Sequence, residues 1–315
     1  MMQRRVLSFL ALAFGFTWAV AGIGALLGID ATSGGPYLAL AAVCMFGPAI
    51  AALVQHRHFD HAPWKALGLH PELIRWPFLF AAASIGLCIV PLTLLVINLL
   101  GDGLGYDVFG HVEVSGSRFN IAMGEMVAQM GGNEMPNAAT EFLAGLPGGL
   151  ILAVLLFSGL FSAFSINLPF MLGEELGWRG YLYQALAGWS AGRRILFTGV
   201  VWGLWHAPLI AMGHNYPGHP VLGIGLMVVF CILLAFLFDW ARTRANSVWA
   251  PAVLHGVING TASSVVFFSW DGDVLFGSPV GVAGFIAIAF LALLVLGDGT
   301  YRKGLMQARN GVAQD

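Results

Sequence analysis

The sequence predicts an all-α, polytopic membrane bundle of about eight transmembrane helices with both termini cytoplasmic. Three observations carry that prediction. Of the 315 residues, 58% are hydrophobic and only 10% are charged, with a mean hydropathy of +0.81, whereas a soluble domain is about 25% charged. The apolar residues fall in long unbroken runs, not in the alternation of a membrane β-barrel strand. The basic residues divide unevenly between the segments that join those runs, as cytoplasmic loops require. The same composition excludes a disordered chain. A net charge of −2 without a basic face argues against a nucleic-acid partner.

A spanning helix needs about 20 mostly apolar residues. The first run, 6–28, follows Arg4 and Arg5 like a signal peptide, but at about 23 residues it exceeds the 7–15 of a cleaved core and reads as a retained span. The second and third runs are 37–55 and 77–100. Next comes 101–147, a long Gly- and Pro-containing extracytoplasmic segment. Within it, 119–130 reads as a short amphipathic helix on the outer surface, either a substrate-facing lid or a loosely packed connector. The stretch 148–190 is one Pro-bent crossing or two short ones meeting near Pro169. Further spans follow at 195–213, 221–240, 246–268 and 279–297.

Basic residues decide the ambiguous stretch. With one crossing, twelve of the 14 lie inside: Arg4, Arg5, Arg57, Lys65, Arg75, Arg193, Arg194, Arg242, Arg244, Arg302, Lys303 and Arg309. Only Arg118 lies outside. Two crossings would give five inside against eight outside, so the eight-span count is preferred. The acidic Asp30, Asp102, Asp107, Glu113, Glu125, Glu134, Glu141, Asp271 and Asp273 then lie outside. No repeat or second domain is visible: 1–315 reads as one membrane domain, with a core at 148–268. Cys44, Cys88 and Cys231 lack metal or disulfide spacing and read as small buried hydrophobes.

Ionisable groups inside a membrane cost several kcal/mol and usually mark function. They occur in three places. Glu174, Glu175 and Arg179 sit near the inner end of the fourth span. Glu175 and Arg179 share a helix face at i, i+4, so the arginine can hold one carboxylate while the other faces a cavity, as a general base or acid would. An interfacial salt bridge is the bland alternative. His206 lies at mid-membrane depth in the fifth span, where it is a catalyst or an interhelical hydrogen-bond partner. His255 and Asn259 share one face of the seventh span at a similar depth, either as site residues or as interhelical glue. His56, Arg57, His58 and His61 read as a solvated loop, and His214 and His219 as an outer turn. With the other charges assigned to loops, Glu174, Glu175 and Arg179 are left as the only ones without a solvated home.

In order and spacing these residues resemble the membrane-embedded CAAX protease and bacteriocin-processing family (CPBP, or Abi). That family carries EExxxR, FxxxH and HxxxN motifs on successive core helices. Glu174, Glu175 and Arg179 match the first, His255 and Asn259 the third. His206 matches the second with Trp202 in place of phenylalanine, a change expected to affect packing more than chemistry. The resemblance implies an intramembrane endopeptidase that activates water without a covalent nucleophile. Glu174 and His206 would position and deprotonate the water, His255 and Asn259 would stabilise the oxyanion, and Arg179 would fix Glu175.

No cofactor is expected. Family members are also described as metalloproteases, and a zinc ion would fall to Glu174, His206 and His255, but the HExxH spacing is absent. Expected partners are the lipid bilayer and a protein or peptide substrate, which the resemblance allows to be lipidated; the expected location is a bacterial inner membrane. The competing reading is a non-proteolytic scaffold or bacteriocin-immunity-type protein of the same fold. A transporter is disfavoured, since no paired broken helices recur in two halves.

Overall fold

The computed structural model describes residues 2–60, 64–129, 132 and 136–306. His61, Glu134, Arg309 and Asp315 lie outside the described residues. Helices α1 (Met2–Leu26), α2 (Gly35–Met45), α3 (Gly47–Gln55) and α4 (Trp76–Asn98) cover the first three expected spans. Pro48 has no N–H to give the carbonyl of Cys44, so α2 and α3 part at Phe46. The hydroxyl of Thr17 on α1 donates to that carbonyl at 3.1 Å.

The outer segment is more ordered than a connector. It forms α5 (Gly116–Gln129) and α6 (Asn137–Ala144), plus a strand β1 (His111–Val112) that pairs antiparallel with β2 (Ser269–Trp270). Phe119 on α5 packs against Phe267 and Phe268. Arg118, expected in solvent, is buried with its guanidinium 5.0 Å from the Trp270 ring centre.

The ambiguous stretch contains α7 (Gly148–Ala163), α8 (Leu168–Glu175), a π-helical turn over Leu176–Leu182, and the single turn α9 (Tyr183–Ala185). The remaining helices are α10 (Ala191–Trp205), α11 (Ala207–Ala211), α12 (Pro220–Ala245), α13 (Trp249–Thr261), α14 (Val282–Leu296) and α15 (Gly299–Met306). On α7, Gly159 abuts Gly260 and Ala163 abuts Gly256. On α8, Met171 meets Asn259 and Glu175 meets His255. Both pieces therefore run antiparallel to α13, side by side at similar levels of it.

Among the described residues, five helical segments are long and apolar enough to cross a membrane, and up to seven if each sharply bent pair counts as one span. The expected fifth span is not among them, because it is broken at His206 into α10 and α11. Pro208, which cannot donate to Leu204, explains the break. The architecture is an all-α multi-pass bundle. At its centre is α13, of which 72% of the spanning window is buried.

Glycine spacing sets how closely the helices approach. A Cβ on Gly199 or Gly203 would stand 2.6 or 2.5 Å from the Cα of Ile232 or Val228 on α12. On α8 and the π turn, a Cβ on Gly173 or Gly177 would meet the carbonyls of Met45 and Pro48 at 2.9 and 2.7 Å. Small residues four apart let helix backbones touch, which in lipid supplies much of the association energy.

Cys44 and Cys231 are buried as expected, but Cys88 lies on the exposed face of α4.

Candidate active site

Glu174 and Glu175 end α8, just where the helix widens into the π turn that carries Arg179. Such local π geometry is rare and concentrates at functional sites. The close seat of Gly173 on the end of α2 and of Gly177 on α3 closes off the back of this segment. Glu174, Glu175 and Arg179 are accordingly 2%, 0% and 3% exposed.

The two carboxylates have different surroundings. Glu175 faces the protein. Nη1 of Arg179 lies 3.1 Å from its carboxylate, and Nδ1 of His255 lies 2.9 Å from Oε1. The guanidinium is held between aromatic faces, 4.3 Å from the Trp202 ring centre and 4.4 Å from that of Phe238. Nε of Arg242 donates to the Arg179 carbonyl at 2.9 Å. Among the described residues Glu174 makes no such ion pair. The indole N–H of Trp202 donates to its Oε2 at 2.9 Å, and the residue borders a cavity.

That cavity, about 140 Å³ in volume, is also lined by His206, His255 and Asn259. The Trp202 carbonyl accepts from Nδ1 of His206 at 2.8 Å. A carbonyl can only accept, so Nδ1 carries the proton and the neutral ring keeps its lone pair on Nε2. Among the described residues the Asn259 amide is held only by the thioether of Met171, at 3.5 Å, a weak acceptor. Four of the six expected site residues thus share one cavity, while Glu175 and Arg179 stand behind it.

The arrangement also departs from expectation. Trp202 is not only a packing body, because its N–H reaches a motif carboxylate that phenylalanine could not contact in this way. His214, expected in an outer turn, and its neighbour Asn215 line the same cavity. The motif charges are also not the only ones withdrawn from solvent. Arg194, Asp239 and Arg242 are each 7% exposed or less. Arg194 forks onto Asp239 at 2.9 and 3.1 Å, and the Tyr301 hydroxyl donates to the same carboxylate at 3.1 Å. Nothing in the sequence marked these three, since each lies near a helix end that reads as an inner loop.

Among the described residues no three His, Cys, Asp or Glu side chains stand together so as to hold a metal ion. Glu174, His206 and His255 share the cavity without forming such a group.

Residues 148–261 match the sequence model of the type II CAAX prenyl endopeptidase Rce1-like family. The chain is also similar to a CAAX prenyl protease 2 from Methanococcus maripaludis, 37% identical over 132 positions that cover 38% of this chain and 49% of that protein. The chain therefore spans about half the length of the curated relative it matches. The matched segment contains Glu174, Glu175, Arg179, His206, His255 and Asn259. Over residues 148–261, the chain is similar to the Rce1-like family of type II CAAX prenyl endopeptidases.

Proposed function

We propose that the protein is an intramembrane endopeptidase that hydrolyses a peptide bond of a membrane-associated protein by activating water at Glu174 and His206. The observation that carries this reading is the single cavity bordered by Glu174, His206, His255 and Asn259. Among the described residues, Oε1 of Glu174 has no hydrogen-bond partner, which leaves it to accept a proton from water. With Nδ1 of His206 tied to a carbonyl, its Nε2 orients the same water. Attack on the scissile carbonyl places negative charge on its oxygen. Asn259 gives up a weak thioether contact to donate there. With Nδ1 committed to Glu175, His255 can donate to the same oxygen from Nε2 only when its ring takes up a second proton. One such donor is typically worth about 3–4 kcal/mol in a dry site, and a positioned base about 10²–10⁴-fold.

The positive-inside count supports cytoplasmic termini, with the cavity served from the inner half of a plasma membrane. The name of the archaeal relative supports a lipidated, CAAX-type substrate.

The test is cleavage of a membrane-anchored, prenylated peptide by protein reconstituted in lipid. Glu174→Gln and His206→Ala should each lower kcat by at least about 10²-fold while remaining folded. Wild-type turnover in either variant refutes the assignment. A cellular phenotype fully preserved by Glu174→Gln would favour the non-proteolytic scaffold.

A further inference from the structure

We propose that Trp202 is a positioning residue for Glu174, its indole N–H fixing Oε2 so that Oε1 is the oxygen presented to the cavity. The inference rests on the reading of Glu174 as the base that activates water. A carboxylate group turns easily about its last side-chain bond, so a base without an anchor would offer its lone pairs in many directions. Glu174 is almost fully buried, and Arg179, the nearest cation in the motif, is committed to Glu175. The 2.9 Å bond from Trp202 is what remains to orient it.

Trp202 is itself held on several sides. Its ring carries the Arg179 guanidinium at 4.3 Å. The rings of Phe238, His255 and His206 lie 5.3, 5.5 and 5.9 Å from it. The same residue's carbonyl accepts from Nδ1 of His206. Trp202 therefore connects both members of the water-activating pair, Glu174 through its side chain and His206 through its backbone. Only the first link depends on the identity of the side chain. A donor aimed at a carboxylate favours the ionised form and makes a charge-assisted bond, stronger than a neutral one.

Two variants separate the N–H from the ring. Trp202→Phe removes the donor and part of the ring. Benzothienylalanine at position 202, incorporated by codon expansion, replaces N–H with sulfur and keeps the shape. Each should lower kcat about tenfold, leave KM within about twofold, and move the acid limb of the kcat/KM–pH profile up by about one unit. A packing role would lower thermal stability without moving the profile. If Trp202→Phe does not fold, the benzothienyl variant decides. A kcat within twofold of wild type and an unmoved profile in that variant overturn the proposal. If Glu174→Gln is inactive at the same time, the reading of Glu174 stands and only the role of Trp202 falls. If Glu174→Gln stays active, both fall.

Discussion

Replacing Arg179 by methionine tests whether the motif arginine serves the second carboxylate. Methionine keeps a long apolar stem between the Trp202 and Phe238 rings, so packing changes little and charge is what is lost. The Glu175 carboxylate is 0% exposed, and without Arg179 its one remaining hydrogen-bond partner is Nδ1 of His255 at 2.9 Å. Removing one member of a buried ion pair costs about 3–5 kcal/mol, because the other charge is left uncompensated. That is roughly two to three and a half orders of magnitude in the folding equilibrium. Equilibrium unfolding in mixed micelles, titrated with SDS, measures the loss. The double variant Glu175→Gln/Arg179→Met removes the orphaned charge and should recover most of it, giving a large favourable coupling in the cycle. A cost below about 1 kcal/mol for Arg179→Met, or additive effects in the double variant, would refute the pairing.

Two further outcomes follow from packing and from the outer segment. Gly203→Ala drives a Cβ to 2.5 Å from the Cα of Val228 and should cost about 1–3 kcal/mol; Gly225→Ala, with nothing within 4 Å, should be tolerated, and thermal unfolding of the two compared in one detergent checks the contrast. His111 is held above the usual histidine range by its hydrogen bond to Asp102; because the folded value is the higher one, any stabilisation is present below about pH 6.5 and is lost as pH rises through the folded value. An NMR titration that returns an ordinary histidine value for His111 would contradict it.

The candidate site residues are legible because charge is scarce in this sequence. In apolar runs, Glu174, Glu175, Arg179, His206, His255 and Asn259 stood out one helix at a time. What periodicity could not show was how those helices meet. The π turn after Glu175, the break at His206 and the offset between α7 and α8 change the phase and level of side chains without changing composition. The glycine seams were hidden differently: Gly199/Gly203 and Gly173/Gly177 act by the absence of a side chain, which hydropathy does not register. Arg194, Asp239 and Arg242 were misplaced because a helix end reads as a loop when the helix that covers it is unknown. The hydrogen bond of Trp202 to Glu174 could not be read in sequence, because an aromatic in an apolar run gives its N–H no direction.

The difference between two adjacent carboxylates bears most directly on function. If Glu174, Glu175 and Arg179 are all ionised, the motif carries a net charge of −1 in a site almost without solvent exposure. Arg179 and His255 both lie against Glu175, so the uncompensated charge falls on Glu174. There it meets one neutral donor, Trp202, and the cavity. A second arginine bonded to Glu174 would have balanced the charge, at the expense of a carboxylate able to exchange a proton with bound water. In this arrangement the buried pair fixes the backbone turn and supports His255, while its neighbour in sequence, about 100° further round the helix, keeps a free oxygen where a water molecule and a peptide carbonyl could meet.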